Sequence, residues 1–156
     1  MDVQVLDDFP RGEGTCDVVI RGAAGQPSLA LVAAVQAYLD ARRMNNLDVL
    51  VRGPAEQPVT VRYRVWLPAD VGDEDLVRAA LIARTNSRLS DGLLADVPRL
   101  GMGQSVIRAQ LGALALPGVP TVQDVVVELP VANVIVPAGA MAVLEAAVEV
   151  IVERQS

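Results

Sequence analysis

From Val59 to Leu67 the chain alternates without a break. Val59, Val61, Tyr63, Val65 and Leu67 fall on one side; Thr60, Arg62, Arg64 and Trp66 fall on the other. A period of two residues marks a strand with one buried and one polar face. Weaker patterns of the same kind predict strands at residues 3–6, 15–21, 47–52 and 121–129. In a last strand Val148, Val150 and Val152 alternate with Glu149, Ile151 and Glu153. Residues 131–136 lie between two prolines, which cannot donate to a ladder, so an edge or loop piece is expected there.

The helical period is equally legible. Leu31, Val35 and Leu39 recur every four residues, and Val32 and Tyr38 widen the stripe, so a helix is predicted over 29–43 with Ser28 as its cap. Burial of five such side chains contributes about 10 kcal/mol gross at about 2 kcal/mol each, most of it offset by lost chain entropy. A second helix is expected over 74–89. Asp73 caps it, Glu74 and Asp75 sit at its positive end, and Leu76, Val77, Ala80, Leu81 and Arg84 form its inner stripe and edge. A third, over 106–115, takes Ser105 as its cap and turns Val106, Ile107, Leu111 and Leu114 inward. It should stop at Pro117-Gly118 and pass directly into the next strand.

The order is ββαβ, then βααββ. It predicts an α+β protein of two small lobes, with helices packed on one face of mainly antiparallel sheets. Residues 53–58, with two prolines and a glycine, read as a loop and as the lobe boundary, giving residues 1–55 and 56–156.

Composition narrows the chemistry. The chain has 156 residues, 52% hydrophobic but only 3% aromatic, so the core must be aliphatic. All thirteen basic residues are arginine, which excludes lysine Schiff-base chemistry and a P-loop lysine. Histidine is absent, and with it the commonest general base and metal ligand. A net charge of −6 argues against nucleic acid as a partner. Cys16 stands alone, so neither a disulfide within the chain nor a cysteine-rich zinc site is available. No apolar run approaches the roughly 20 residues that span a bilayer, and no leader is seen, so a soluble, intracellular product without membrane insertion is expected.

The candidate sites are weak. Gly12-Glu-Gly14 opens like a dinucleotide fingerprint, but Asp17 holds the third glycine's place and a strand follows. Gly101-Met-Gly103-Gln-Ser105 precedes a helix and is a conceivable anion or metabolite site, but reads better as a joint. Asp70, Asp73, Glu74 and Asp75 lack calcium-loop spacing and suit a helix start. Arg62, Arg64 and Trp66 share one strand face. In an acidic chain that face is preferred as a partner-contact face over a phosphate or carboxylate site or a merely solvated surface. No catalytic, cofactor or metal residue is singled out.

Several motifs in fixed order add a family resemblance. They are Gly12-Glu-Gly14-Thr15 before Asp17-Val-Val-Ile20, Gln26-Pro-Ser28 before a helix ending Tyr38-Leu-Asp-Ala-Arg-Arg43, and Leu47-Asp-Val-Leu-Val51 with the loop into Pro58-Val-Thr-Val61. Gly101-Met-Gly103-Gln-Ser105 follows, then Leu116-Pro-Gly-Val119 leading into Val122-Gln-Asp-Val-Val-Val127, and the close Val136-Pro-Ala-Gly-Ala-Met-Ala-Val-Leu144. This order resembles the C-terminal part of baseplate J-like proteins, wedge components of contractile phage tails and related injection machines. Arg43-Met44 stands where the family usually has Arg-Pro, and the family's usual N-terminal region does not precede the Gly12 element. The resemblance implies a structural subunit of a particle baseplate, assembled in the bacterial cytoplasm. It implies pairing with copies of itself and with other wedge or hub proteins, without enzyme activity or cofactor. The competing reading is a regulatory α+β domain that binds a small molecule between its lobes.

Overall fold

The computed structural model describes residues 1–23, 25–69, 73–115 and 122–155. The helix–strand junction at Pro117-Gly118 and the acidic residue Asp70 lie outside them. The described elements are β1 (Asp2–Leu6), β2 (Thr15–Arg21), α1 (Leu29–Asp40), β3 (Asp48–Arg52), β4 (Ala55–Val59), β5 (Arg62–Pro68), α2 (Glu74–Asn86), α3 (Arg108–Ala113), β6 (Asp124–Leu129), β7 (Ala140–Leu144) and β8 (Glu149–Gln155). The α+β class is as expected. A π-helical turn, Ser87–Asp91, extends α2 and ends at Gly92.

The strands form three sheets, ordered β1-β2-β3, β4-β7 and β6-β5-β8. β1–β2 and β5–β6 pair antiparallel, as expected for neighbours joined directly or through the helical region; β2–β3, β4–β7 and β5–β8 run parallel. Each parallel pair has a physical cause. α1 carries the chain back between β2 and β3, the crossover that a parallel pair requires. β4 and β5 follow one another with a bend at Thr60, and β7 and β8 do the same. The two ribbons then lie side by side: Glu145 N donates to Val59 O and Glu149 N to Val61 O, both at 3.1 Å.

Residues 53–58 are not all loop. Ala55–Val59 forms β4, paired with β7, so the expected lobe junction at 55/56 falls inside a strand. Proline is tolerated there because a two-stranded sheet leaves each strand one free edge. β7 has no sequence signal: Ala140, Met141 and Ala142 are buried in succession, which erases alternation.

The core lies between the β6-β5-β8 sheet and the helices α2 and α3. The alternating residues Val59, Val61, Tyr63, Val65 and Leu67 are all 2% exposed or less, and Val77, Leu81 and Leu111 meet them from the helices. Asp73 caps α2 as its sequence position demands, accepting from Asp75 N (3.0 Å) and Leu76 N (3.4 Å). Leu76 itself is 67% exposed, so the α2 stripe is narrower than predicted. Residues Val77, Leu81, Arg84 and Thr85 are buried at helical spacing, and Leu76 falls beside that stripe. The third helix is shorter than expected. It begins at Arg108 because Val106 is held in an isolated bridge to Val134, and Ser105 Oγ accepts from Val136 N (3.3 Å) instead of capping. Ile107 is consequently exposed.

α1 is bound lightly. Ser28 caps it, accepting from Leu31 N at 3.2 Å, but none of its residues is fully buried and Tyr38 is exposed. The apolar stripe therefore contributes well under the full burial energy. A side-chain amide adds to the packing: Gln36 Nε2 donates to Val49 O (2.8 Å) and its Oε1 accepts from Val51 N (2.7 Å). These bonds cover β3, a strand at the edge of its sheet.

Tyr63 is fully buried, its hydroxyl 3.0 Å from Thr85 Oγ1, which donates to Leu81 O. Burial pushes the phenol from its ordinary value of 10 up to about 12. The unfolded chain loses this proton first, so the contribution to stability is complete below pH 10 and disappears between about pH 10 and 12. A gap of about two pH units corresponds to roughly 3 kcal/mol. With no lysine in the chain, thermal melts from pH 8 to 12 should show this step clearly. Tyr63→Phe should cost about 1 kcal/mol at neutral pH and flatten the alkaline fall; an unchanged fall would assign it elsewhere.

Candidate partner-contact face

Strand alternation sets Tyr63, Val65 and Leu67 into the core and leaves Arg62, Arg64 and Trp66 on the outer face of the same sheet. Their neighbours on that face are carboxylates, which sequence reasoning missed. Arg62 pairs with Glu149, its register partner on β8. Arg64 Nε donates to Glu128 on β6 at 2.7 Å, and its Nη1 pairs with Glu153 on β8. The Glu128 hydrogen bond and charge, with Glu153, hold the Arg64 guanidinium above the ordinary arginine range. Glu149 and Glu153 lie four residues apart in a strand, so they share a face; only the parallel β5–β8 register shows that this face is the arginines' own.

Both guanidiniums are thus occupied by the chain's own acids. A free phosphate or carboxylate would have to displace Glu128, Glu149 or Glu153, against a face with more acids than arginines. The remaining surface is mixed: Trp66 is half-buried, and Val126 and Ile151 are exposed at 38% and 36%. The face therefore carries a charge ladder interleaved with apolar side chains.

A second network fixes the β1–β2 loop. Asp17 is 4% exposed and accepts from Arg11 Nε (2.8 Å) and Arg52 Nε (2.9 Å); Arg11 also pairs with Asp48. The Arg11 hydrogen bond, helped by Arg52, holds the Asp17 carboxyl below its ordinary value against the opposing effect of burial. The folded state therefore resists protonation. Its contribution is present above the unfolded carboxyl value near 3.9 and is lost as the pH falls through the lower folded value. Asp17→Asn should cost about 2 kcal/mol at pH 7, less than a fully buried pair because both arginines are one-third exposed. Its melting temperature should also fall less than the wild type's between pH 4 and 2, a difference that denaturation curves at both pH values would measure.

The other sequence candidates are structural. Gly12-Glu-Gly14 is the β1–β2 connection, with Asp48 N donating to Gly14 O at 2.8 Å. In the Gly101–Ser105 segment four consecutive backbone donors are spent: Gly101 N on Gln104 Oε1, Met102 N on Asp2 Oδ2 at 3.5 Å, Gly103 N on Ala140 O and Gln104 N on Gly101 O. This segment joins the first half of the chain to the second and offers no free N–H row to an anion or metabolite. Of the acidic cluster, Asp73 caps α2, Asp75 pairs with Arg78, and Glu74 pairs with Arg154. Among the described residues no group of three or more His, Cys, Asp or Glu is gathered to hold a metal ion, and no helix is long and apolar enough to cross a membrane.

No family model matches the sequence, and no curated protein matches it. The fold, however, is similar to a solved one, a chain in a cryo-EM structure of the anti-feeding prophage baseplate with six-fold symmetry. The identity is 17% and the TM-score 0.52. The match covers 92% of this chain but 33% of the baseplate chain, so this chain spans about a third of that protein's length. Nearly the whole of this α+β chain therefore shares the fold of a portion of a prophage baseplate protein.

Proposed function

We propose that this chain is a structural wedge component of the baseplate of a contractile phage tail or phage-tail-like injection machine. It works by protein–protein assembly, with copies of itself and with other wedge or hub proteins, and carries out no catalysis. The observation that carries this reading is the baseplate fold over 92% of the chain, joined to motifs in the order of baseplate J-like proteins. The outer sheet face with Arg62, Arg64 and Trp66 is proposed as one contact surface, because its charges are already paired and its apolar residues are left outward. The test is to purify contractile particles from the source strain and identify their baseplate subunits. The chain, or a longer protein that contains it, should be present; intact particles that lack both would overturn the reading.

A further inference from the structure

The loop between β1 and β2 presents an aromatic ring to solvent on an unfavourable backbone. Phe9 has a φ of +52° and is 58% exposed. A left-handed backbone is disfavoured for any residue with a β-carbon. Such conformations persist where the surroundings impose them, and they cluster at binding sites. Here Gly12 N donates to Phe9 O (3.0 Å), and Arg11 ties the loop to Asp17 and Asp48. The charge of Arg11 is thereby spent. Asp7, Asp8 and Glu13 on the same loop are exposed and enter no ion pair among the described residues. The loop is a braced acidic knob with an aromatic tip.

The second half carries a complementary recess. An open groove of about 790 Å³ runs between α3 and β6, lined by Ala109, Ala113, Val125, Val131 and Ala132 among others. Among the described residues of its lining, Arg108 is the one with a charged side chain. Its Nε and Nη2 donate to Val127 O, on the edge strand β6, and among the described residues no carboxylate meets it. Val131 is 78% exposed.

We propose that the acidic Phe9 loop of one copy seats in the α3–β6 groove of a second copy. The ring meets apolar walls, and the acids at its flanks meet Arg108. Knob and groove are different surfaces, so each pair leaves one of each free. Repetition closes a ring if the rotation allows and otherwise grows a filament. The contact deepens the assembly reading above, on which it rests for its setting.

The test uses the full chain in sedimentation velocity over a range of concentration and salt. Phe9→Asn removes the ring but tolerates the left-handed backbone; Ala132→Glu places an acid on an exposed groove wall. The wild type should associate more strongly as concentration rises and less as salt rises. Each variant should weaken association by about tenfold or more, with Phe9→Asn melting no lower than the wild type. Mixed together, the variants should form one-to-one pairs and nothing larger, since one retains only the groove and the other only the knob. A wild type that stays monomeric at several hundred micromolar would overturn the proposal and leave the groove to a different protein. Variants that associate like the wild type, or a mixture that forms no pairs, would also overturn it. These failures leave the particle experiment intact, because particles that hold the chain through other contacts would still contain it.

Discussion

Val61→Asp is expected to leave no folded protein. Val61 is 1% exposed at the bend between β4 and β5, inside the cluster that includes Val59, Tyr63 and Leu111. Replacing it forfeits about 2 kcal/mol of apolar burial. It also forces a carboxylate either to stay buried without a partner or to pull the bend open, at a cost of several kcal/mol more. The total is comparable with the roughly 5–15 kcal/mol that holds a domain of this kind together. Glu149 N, which donates to Val61 O, would lose its partner as the bend opened. The control lies one residue away. Thr60 is exposed, and its Oγ1 donates to Glu145, a bond that Thr60→Ser keeps. That variant should stay within about 0.5 kcal/mol of the wild type, and Arg62→Ser, which breaks a surface ion pair, within about 1 kcal/mol. Soluble yield and thermal melting decide the matter; a soluble, cooperatively melting Val61→Asp protein would refute the assigned face.

The same substitution in β6 shows where pattern reading stops. From sequence, Val125→Asp should be as damaging as Val61→Asp. In the structure Val125 is only partly buried, whereas Val127 is 5% exposed and lies opposite Tyr63 within the core cluster, although both touch the open groove. Three consecutive valines carry no phase of their own; the pairing with β5 turns Val125 and Val127 inward, opposite Val65 and Tyr63, and of the two only Val127 is fully buried. Val127→Asp is the variant that should fail to fold.

Where one residue type alternates against another, local physics was enough. β2 has the expected bounds, the β5 face is buried residue by residue, and Ser28 and Asp73 cap their helices. What stayed hidden was set by partners far away in the chain. β4 and β7 exist because they pair with each other across more than eighty residues, and neither alternates. Ser105 looked like a cap until Val136 used its hydroxyl. The outer face of β5 was half legible. Its arginines and tryptophan were placed together correctly, but the acids that neutralise them come from β6 and β8. The groove beside α3 was illegible, because most of its walls are ordinary alanines and valines brought together from α3, β6 and residues 131–133.

Gly139→Val should be the most damaging change at the junction of the two halves. Gly139 has a φ of +72°, and its N donates to Gln4 Oε1 at 2.8 Å while its O accepts from Ala55 N at 3.0 Å. A β-carbon there would stand 2.9 Å from Leu6 Cδ1, 3.1 Å from Arg52 Nη2 and 3.3 Å from Val19 Cγ2. Arg52 is held by Asp17, and the end of Leu6 alone is a flexible tip. Val19, completely buried in β2, has no room to swing. Gly103 supplies the comparison, since its φ is +70° but its nearest neighbour, Gln4 Nε2, would be at an ordinary 3.4 Å. Both alanine variants carry the left-handed backbone penalty of about 1–2 kcal/mol. Only Gly139→Ala adds the crowding, so it should be the less stable of the two by about 1 kcal/mol. A β-branched residue enlarges both effects, and Gly139→Val should cost about 4 kcal/mol in all. Denaturant melts of the three variants read these differences directly. If Gly103→Ala and Gly139→Ala shift the midpoint equally, the β1-β2-β3 sheet does not press on the Gly139 turn. If Gly139→Val alone lowers the midpoint and splits the transition in two, that turn is what makes the halves unfold together.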